Sequence, residues 1–319
     1  MFAICLEASH VFGMGHLFRM LNFVRYLECI DRDFVFLIND NKKTKKILEE
    51  KKYKYEVVEL NDFLSDWETT LIKKYDFVYW INDRLNTRKE HLLHILKNGI
   101  KTITFDDLGD GSKYCDINVC GLFFNRKNLN GKKILCGVKY LILNPEIDLY
   151  KRKRKNLNNI IVTLGGSDTY GVTVKILQIL KKNNLCNINV TIHTGPSFEH
   201  KEELYKELVA NFKVIDFTPS LIKEFRKYDL AITGGGITPF EANASGLPCL
   251  VVANEDFEIP NGEYLHSIGS SVFLGFHESI DFIDFKNIKN LNLEQMSQIG
   301  LVNLDTKAAN RIYQEIMLL

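Results

Sequence analysis

FAICLEASHVFGMGHLFRMLNFVRYLECI, residues 2–30, sets the fold. Its first five residues, Phe2–Leu6, form a short apolar run of the length expected for a buried strand. Gly13 and Gly15 then permit a tight turn. From His16 to Ile30 the apolar residues Leu17, Leu21, Val24 and Leu27 recur at spacings of three and four, the period of an amphipathic helix. A strand that passes through a glycine turn into a helix begins a βαβ unit, and such units build parallel sheets.

The alternation continues outward. Further strand candidates are Phe34–Leu37, Tyr55–Leu60, Tyr75–Ile81, Thr102–Phe105 and Asp116–Cys120, with a helical pattern over Thr87–Lys97. A basic stretch, KRKRKNLNN at 151–159, interrupts the pattern and reads as a solvated linker, being short and without aromatic residues. The pattern then restarts. Strands are expected at Ile160–Leu164, Ile188–His193, Val214–Phe217, Leu230–Thr233 and Cys249–Ala253. Helices are expected at Val172–Lys182, Pro219–Lys227, Thr238–Ser245 and Thr306–Met317. The expectation is an α/β chain of two doubly wound domains, residues 1–150 and 151–319, with ligand at the carboxyl ends of the strands.

Composition agrees. Of 319 residues, 45% are apolar and 25% charged, which excludes disordered and collagenous classes. Lys and Arg number 41 against 40 Asp and Glu, a balance that calls for neither nucleic acid nor an anionic membrane. The seven cysteines are odd in number and none has CxxC spacing, so they read as buried thiols of a reducing, cytoplasmic compartment rather than a zinc site. No apolar run approaches the ~18 residues of a membrane span. The N-terminus lacks the basic and apolar regions of a signal peptide.

Four segments carry candidate chemistry. In Gly13-Met14-Gly15-His16 the helix start favours an anion. His16 is placed to act as a general base, to bind phosphate or merely to cap the helix. Arg19, one turn on, either pairs with phosphate or is solvated. Phe18 stands where a dinucleotide fingerprint needs its third glycine, so no nicotinamide cofactor is expected. In Phe105-Asp106-Asp107 the paired carboxylates suit a metal, a base or sugar hydroxyls. Asp110 and Gly111 after them suit a plain turn. Asn82-Asp83-Arg84 ends another strand and is expected on the same rim as His16. Leu164-Gly165-Gly166-Ser167-Asp168 suits a phosphate cradle, or a turn capped by Ser167 or Asp168. Gly234-Gly235-Gly236-Ile237-Thr238-Pro239-Phe240-Glu241 reads as a helix start with Thr238 as N-cap, and it offers backbone N–H groups to a pyrophosphate. Glu241 either completes a capping box or meets ribose hydroxyls. Asn254 and Glu255 reach the same rim. His91 and His94 are expected on a solvated helix face.

GMGH with Arg19, the FDD strand end, LGGSD and GGGxTxxEAxAxGLP occur in one order over roughly residues 2–275. In that order they resemble the nucleotide-sugar hydrolases of the pseudaminic acid pathway and the spore-coat polysaccharide G group. The second half is also similar to the transferase that adds N-acetylglucosamine in peptidoglycan precursor synthesis. The resemblance implies GT-B architecture, two Rossmann-like lobes with parallel sheets facing a deep cleft. It implies a metal-independent, inverting hydrolase with no cofactor, releasing UDP from a UDP-linked 2,4-diacetamido-2,4,6-trideoxy sugar in nonulosonic acid synthesis for surface glycans or flagellin. His16 would activate water. Gly13, Gly15, Arg19, Asn82, Asp83, Asp106 and Asp107 would meet sugar and phosphate in the first lobe. Gly165, Gly166, Ser167, Gly235, Gly236, Ile237, Thr238, Glu241 and Asn254 would hold the nucleotide in the second. Two segments depart from the hydrolases: Asn82-Asp83-Arg84 replaces an Asp-His-Tyr type, and Asn254-Glu255 replaces Asn-Gln. These departures leave a glycosyltransferase with the same donor, or a non-catalytic partner of a cytidylyltransferase, as alternatives. The implied partners are a UDP-sugar and other enzymes of that pathway.

Overall fold

A computed structural model of the chain describes residues 1–7, 14–122, 128–166, 168–183, 188–195, 197–216, 218, 220–282 and 285–319. It divides into two compact units, Met1–Ile142 with Lys307–Leu319, and Leu143–Thr306.

The first unit is built on strands β1 Phe2–Leu6, β2 Phe34–Ile38, β3 Tyr55–Val57, β4 Tyr79–Asp83, β5 Lys101–Phe105, β6 Ile117–Cys120 and β7 Lys133–Cys136. They pair in the order β3-β2-β1-β4-β5-β6-β7, and every pairing is parallel. Its helices are α1 Gly15–Cys29, α2 Lys42–Glu50, α3 Trp67–Tyr75 and α4 Lys89–Leu96. β1 is buried on both faces, as its unbroken apolar run requires. Successive side chains go to opposite faces: Phe2, Ile4 and Leu6 join the core with Leu17, Val24 and Leu27 of α1, whereas Ala3 and Cys5 join Trp80 and Ile95. The apolar run expected as one strand from Tyr75 is divided. Tyr75 closes α3, Asp76 turns in the left-handed region at φ 50, and β4 begins at Tyr79.

The second unit carries β8 Asn159–Thr163, β9 Asn189–His193, β10 Phe212–Ile215, β11 Leu230–Gly234, β12 Cys249–Ala253 and β13 Ser271–Phe276. They form a parallel sheet in the order β10-β9-β8-β11-β12-β13. Its helices are α5 Ile147–Tyr150, α6 Val172–Lys182, α7 Lys201–Lys206, α8 Leu221–Phe225, α9 Thr238–Ala244, α10 Ile259–Ser267 and α11 Leu293–Asn303. Ile160, Val162, Ile176, Leu180, Ile232 and Val252 anchor its core.

A break at 150/151 misplaces the last helix. α12, Ala308–Ile316, belongs to the first unit because Ala308, Ile312, Tyr313 and Ile316 pack into the core that holds Phe2, Ile4 and Leu17. An amphipathic terminal helix carries no sequence mark of which core receives it. The basic run is exposed at Lys151, Arg152, Lys153 and Lys155, as a solvated linker would be, but not at Arg154. Arg154 is fully buried, and its guanidinium donates to the carbonyls of Arg152, Phe225, Tyr228 and Ser245. Phe225 and Ser245 lie at the ends of α8 and α9, where unpaired carbonyls and the helix dipole favour a cation. Cys5, Cys115, Cys120 and Cys249 are buried free thiols, whereas Cys29 is exposed; Cys186 lies outside the described residues. Among the described residues no helix is long and apolar enough to cross a membrane.

Candidate active site

In a parallel sheet all strands end at one edge. β1 and β4 run side by side, with Leu6 opposite Asp83, and β5 follows β4. α1 starts at this edge without a side-chain cap and without an acidic residue in its first turn. The strand ends supply the negative charge instead. His16 and Arg19, three residues apart on one helix face, meet Asp83 from β4 and Asp106 beyond β5. Asp106 reaches Arg19 from a left-handed turn at φ 52.

His16 Nδ1 lies 2.6 Å from Asp83 Oδ1. Arg19 donates to both oxygens of Asp83, Nη2 at 2.5 Å and Nε at 2.9 Å, and its Nη1 donates to Asp106. Burial alone would raise the Asp83 carboxyl, but Arg19 and His16 hold it below the usual carboxylate range. Burial likewise opposes the charge of Arg19, and Asp83 and Asp106 more than reverse that effect. An Nδ1–H of His16 would donate to the Asp83 carboxylate, and a neutral ring would then carry its lone pair on Nε2. His16 also borders a cavity of about 520 Å³, whose walls include Glu7, Asn61, Arg84 and Arg88.

The other residues expected on this rim divide. Asn82 faces the opposite side of the sheet from Asp83. Its Oδ1 accepts from Trp80 Nε1 and His91 Nε2, each at 3.1 Å, so it does not join His16. His91 is buried rather than solvated, with Nδ1 2.6 Å from Glu68, and His94 bonds the other Glu68 oxygen at 3.0 Å. Asp107 also turns inward. It accepts the N–H groups of Thr87 and Gly109, and burial pushes its carboxyl up. Gly15 is the first residue of α1, with open space where a Cβ would stand, and Gly13 lies outside the described residues. Among the described residues, Asp66, Glu68 and His94 bring three metal-ligating atoms within 4.8 Å of one another. Glu68 is already bonded to both histidines, and Asp66 to Lys97.

In the second unit the loops after β8, β11 and β12 share one sheet edge, with Thr233 opposite Thr163 and Gly234 opposite Val252. Gly165 turns at φ +88, and the Gly166 carbonyl accepts from Ser197 at 3.0 Å. Ser167 lies outside the described residues. Asp168 caps the start of α6 through the N–H groups of Val172 and Thr173 at 2.9 and 2.8 Å. After β11, Thr238 is the first helical residue rather than the cap, which is Ile237, and no side chain caps this end. The expected capping box therefore does not form. Glu241 instead accepts the Asn144 N–H, and burial pushes its carboxyl up to about 7.

Glu258 went unnoticed in the sequence. Its Oε2 accepts the N–H groups of Gly235 and Asn254, at 3.2 and 2.8 Å. A carboxylate thus occupies two N–H donors that converge beside the glycine loop. Asn261 Nδ2 holds the Gly235 carbonyl at 2.9 Å, and a Cβ on Gly235 would stand 2.7 Å from Glu258 Cβ. Gly236 and the exposed Ile237 follow in the loop. Asn254 Oδ1 is buried and has no hydrogen-bond partner, while Glu255 accepts from Tyr170 at 3.2 Å. Gly195 was also missed, although a Gly-Pro pair after a strand marks a turn. It packs directly on the backbone carbonyls of Gly165 and Gly166.

Two parallel α/β lobes with these loop positions define a GT-B fold, and solved structures match over the whole length. Acinetobacter baumannii MurG aligns over 100% of this chain and 99% of its own at TM-score 0.71 and 14% identity. Anabaena HepE in complex with UDP aligns over all of both chains at TM-score 0.73 and 12% identity. Among curated proteins, an uncharacterized protein of Methanocaldococcus jannaschii is 31% identical over 281 residues, 80% of this chain and 56% of that one. The chain thus spans little more than half of that relative. The spore coat polysaccharide biosynthesis protein SpsG of Bacillus subtilis is 26% identical over 87% of this chain and 84% of its own. The UDP-N-acetylglucosamine--N-acetylmuramyl-(pentapeptide) pyrophosphoryl-undecaprenol N-acetylglucosamine transferase of Campylobacter jejuni is 29% identical over 46% of this chain and 44% of its own. No family model matches the chain.

Proposed function

We propose that the chain is a nucleotide-sugar-dependent glycosyltransferase of polysaccharide biosynthesis, with His16 as general base. The observation that carries this reading is the His16–Asp83 pair, 2.6 Å apart, beside a cavity at the carboxyl edge of the first sheet. An acceptor hydroxyl attacks the anomeric carbon of the donor sugar. The bond from that carbon to the diphosphate oxygen breaks, the nucleoside diphosphate leaves with the electron pair, and the acceptor proton passes to His16 Nε2. The loops at Gly165–Gly166 and Gly235–Thr238 bind the diphosphate through backbone N–H groups, and Glu241 meets the ribose. Glu258 is then displaced from Gly235 and Asn254 as phosphate oxygens take its place. Similarity to a peptidoglycan N-acetylglucosamine transferase and to SpsG supports this reading.

A second reading keeps the same donor and replaces the acceptor with water. It is favoured by the GMGH segment that presents His16, and it makes the chain a UDP-sugar hydrolase acting on a 2,4-diacetamido-2,4,6-trideoxy sugar of nonulosonic acid synthesis. UDP release from a panel of UDP-sugars, with and without acceptor saccharides, separates the two. Release that requires an acceptor supports transfer; equal release without one supports hydrolysis. Turnover that persists in His16→Ala would overturn both.

A further inference from the structure

Among the described residues Arg154 and Arg84 are both deeply buried, and they are solvated in opposite ways. Arg154 has all three guanidinium nitrogens bonded to carbonyls. Arg84, only 4% exposed, does not. Its Nε and Nη1 are buried without a hydrogen-bond partner, and Nη2 makes one long bond of 3.3 Å to Asn61. The carboxylate paired with it, Glu7, stands 3.8 Å from Nε, close enough for charge attraction but beyond hydrogen-bond reach. A guanidinium offers five donors and no acceptor, so burying it partly unbonded is costly. A fold retains such a group where something else supplies the acceptors.

Arg84 lines the cavity of about 520 Å³ that His16 also borders. The described lining carries two guanidinium groups, Arg84 and Arg88, against one carboxylate, Glu7. Arg88 lies over the Phe63 ring at 5.3 Å, which keeps its charge at the cavity wall. Donors in excess, positive charge in excess and an unfilled volume all select an anion with two or more oxygens, the partner an arginine fork binds best.

We propose that this cavity is an oxyanion subsite in which Arg84 binds a carboxylate or phosphoryl group carried by the sugar substrate or acceptor that reacts at His16. That the ligand is a sugar rests on the function proposed above; the anion preference rests on Arg84 alone.

The test is equilibrium binding of glucose, glucuronate and glucose 6-phosphate to the full chain, followed by NMR titration, in wild type, Arg84→Met and Arg84→Lys. At least one anionic sugar is expected to bind roughly 10- to 100-fold more tightly than glucose, the range of a charge-assisted hydrogen-bonded pair. The tighter of the two names the group as carboxylate or phosphoryl. Arg84→Met should erase the preference and Arg84→Lys should retain part of it. Equal binding of all three sugars to wild type would overturn the proposal, as would a full preference in Arg84→Met. If Arg84→Met does not fold, an undiminished preference in Arg84→Lys overturns it instead, because lysine keeps the charge and loses the fork. Absence of glycosyl transfer together with Arg84-dependent binding would count against the proposed function and leave the subsite standing.

Discussion

Asp83 Oδ1 and His16 Nδ1, sixty-seven residues apart in the chain, stand 2.6 Å apart. On the proposed reading Asp83 orients the ring and leaves Nε2 to accept a proton. Replacing His16 by Ala should lower kcat by roughly 10²- to 10⁴-fold, the range for a positioned acid–base group, with little change in nucleotide affinity. Asp83→Asn should cost a similar factor, since an amide accepts less well and no longer enforces the proton on Nδ1. Initial rates of UDP release measure both.

Arg19 pairs with two buried carboxylates at once, Asp83 and Asp106. Arg19→Met should destabilise the first unit by about 3–5 kcal/mol, the cost of stranding a buried charge. The pH dependence has a definite sign. Asp83 titrates below its unfolded value, so its contribution is fully present above about pH 4 and is lost as the pH falls through the folded value. Urea midpoints at pH 7 and pH 3 should converge in Arg19→Met and stay apart in wild type.

Glu241 has the opposite sign. Its folded carboxyl titrates near 7, so between its unfolded value and that pH the folded chain binds the extra proton. Stability should fall as the pH rises across that window, by about 3 kcal/mol at most, and then level off. Glu241→Gln should flatten the decline, as read from thermal unfolding at half-unit steps. If the ionised group meets the ribose, UDP affinity in wild type should rise over the same interval.

Gly195 has no room for a methyl group, because the Gly165 and Gly166 carbonyls occupy the position a Cβ would take. Gly195→Ala should destabilise the second unit by about 1–3 kcal/mol through overpacking and weaken UDP binding as the loop shifts. Gly15→Ala, where the space is open, should leave the stability of the first unit within about 0.5 kcal/mol. Calorimetric titration with UDP and thermal melts compare the two.

Much of the architecture could be read directly because central parallel strands are unbroken apolar runs. The runs at Phe2–Leu6 and Cys249–Ala253 match the observed strands residue for residue. The edges escaped. β7 buries only Leu135, and the lysine-rich α2 buries only Thr44 and Leu48, so neither has much apolar periodicity to detect. In the site, His16, Arg19, Asp83 and Asp106 were all singled out, but not their mutual engagement, which depends on the strand order placing β4 between β1 and β5. Asn82 was misassigned because alternation along a strand sends neighbours to opposite faces. Arg84 was expected on the rim of His16 and lines the same cavity, but its unmet donors were not legible, and Glu258 could not be distinguished from an ordinary surface charge. Only burial reveals that Glu258 caps a glycine loop and Arg84 lacks acceptors.

The return of α12 to the first unit has a consequence for synthesis. Residues 143–306 leave the ribosome as one uninterrupted block, whereas the first unit waits for Ala308–Ile316 until that whole block has been made. Of the two units, the one begun first is completed second. Its nascent sheet must pass the interval with the surface meant for Ile312 and Tyr313 uncovered, a span in which a chaperone has something apolar to hold. Dissection follows the same logic. The second unit can be excised as a single segment, whereas the first can be made alone only by joining residue 142 to residue 307.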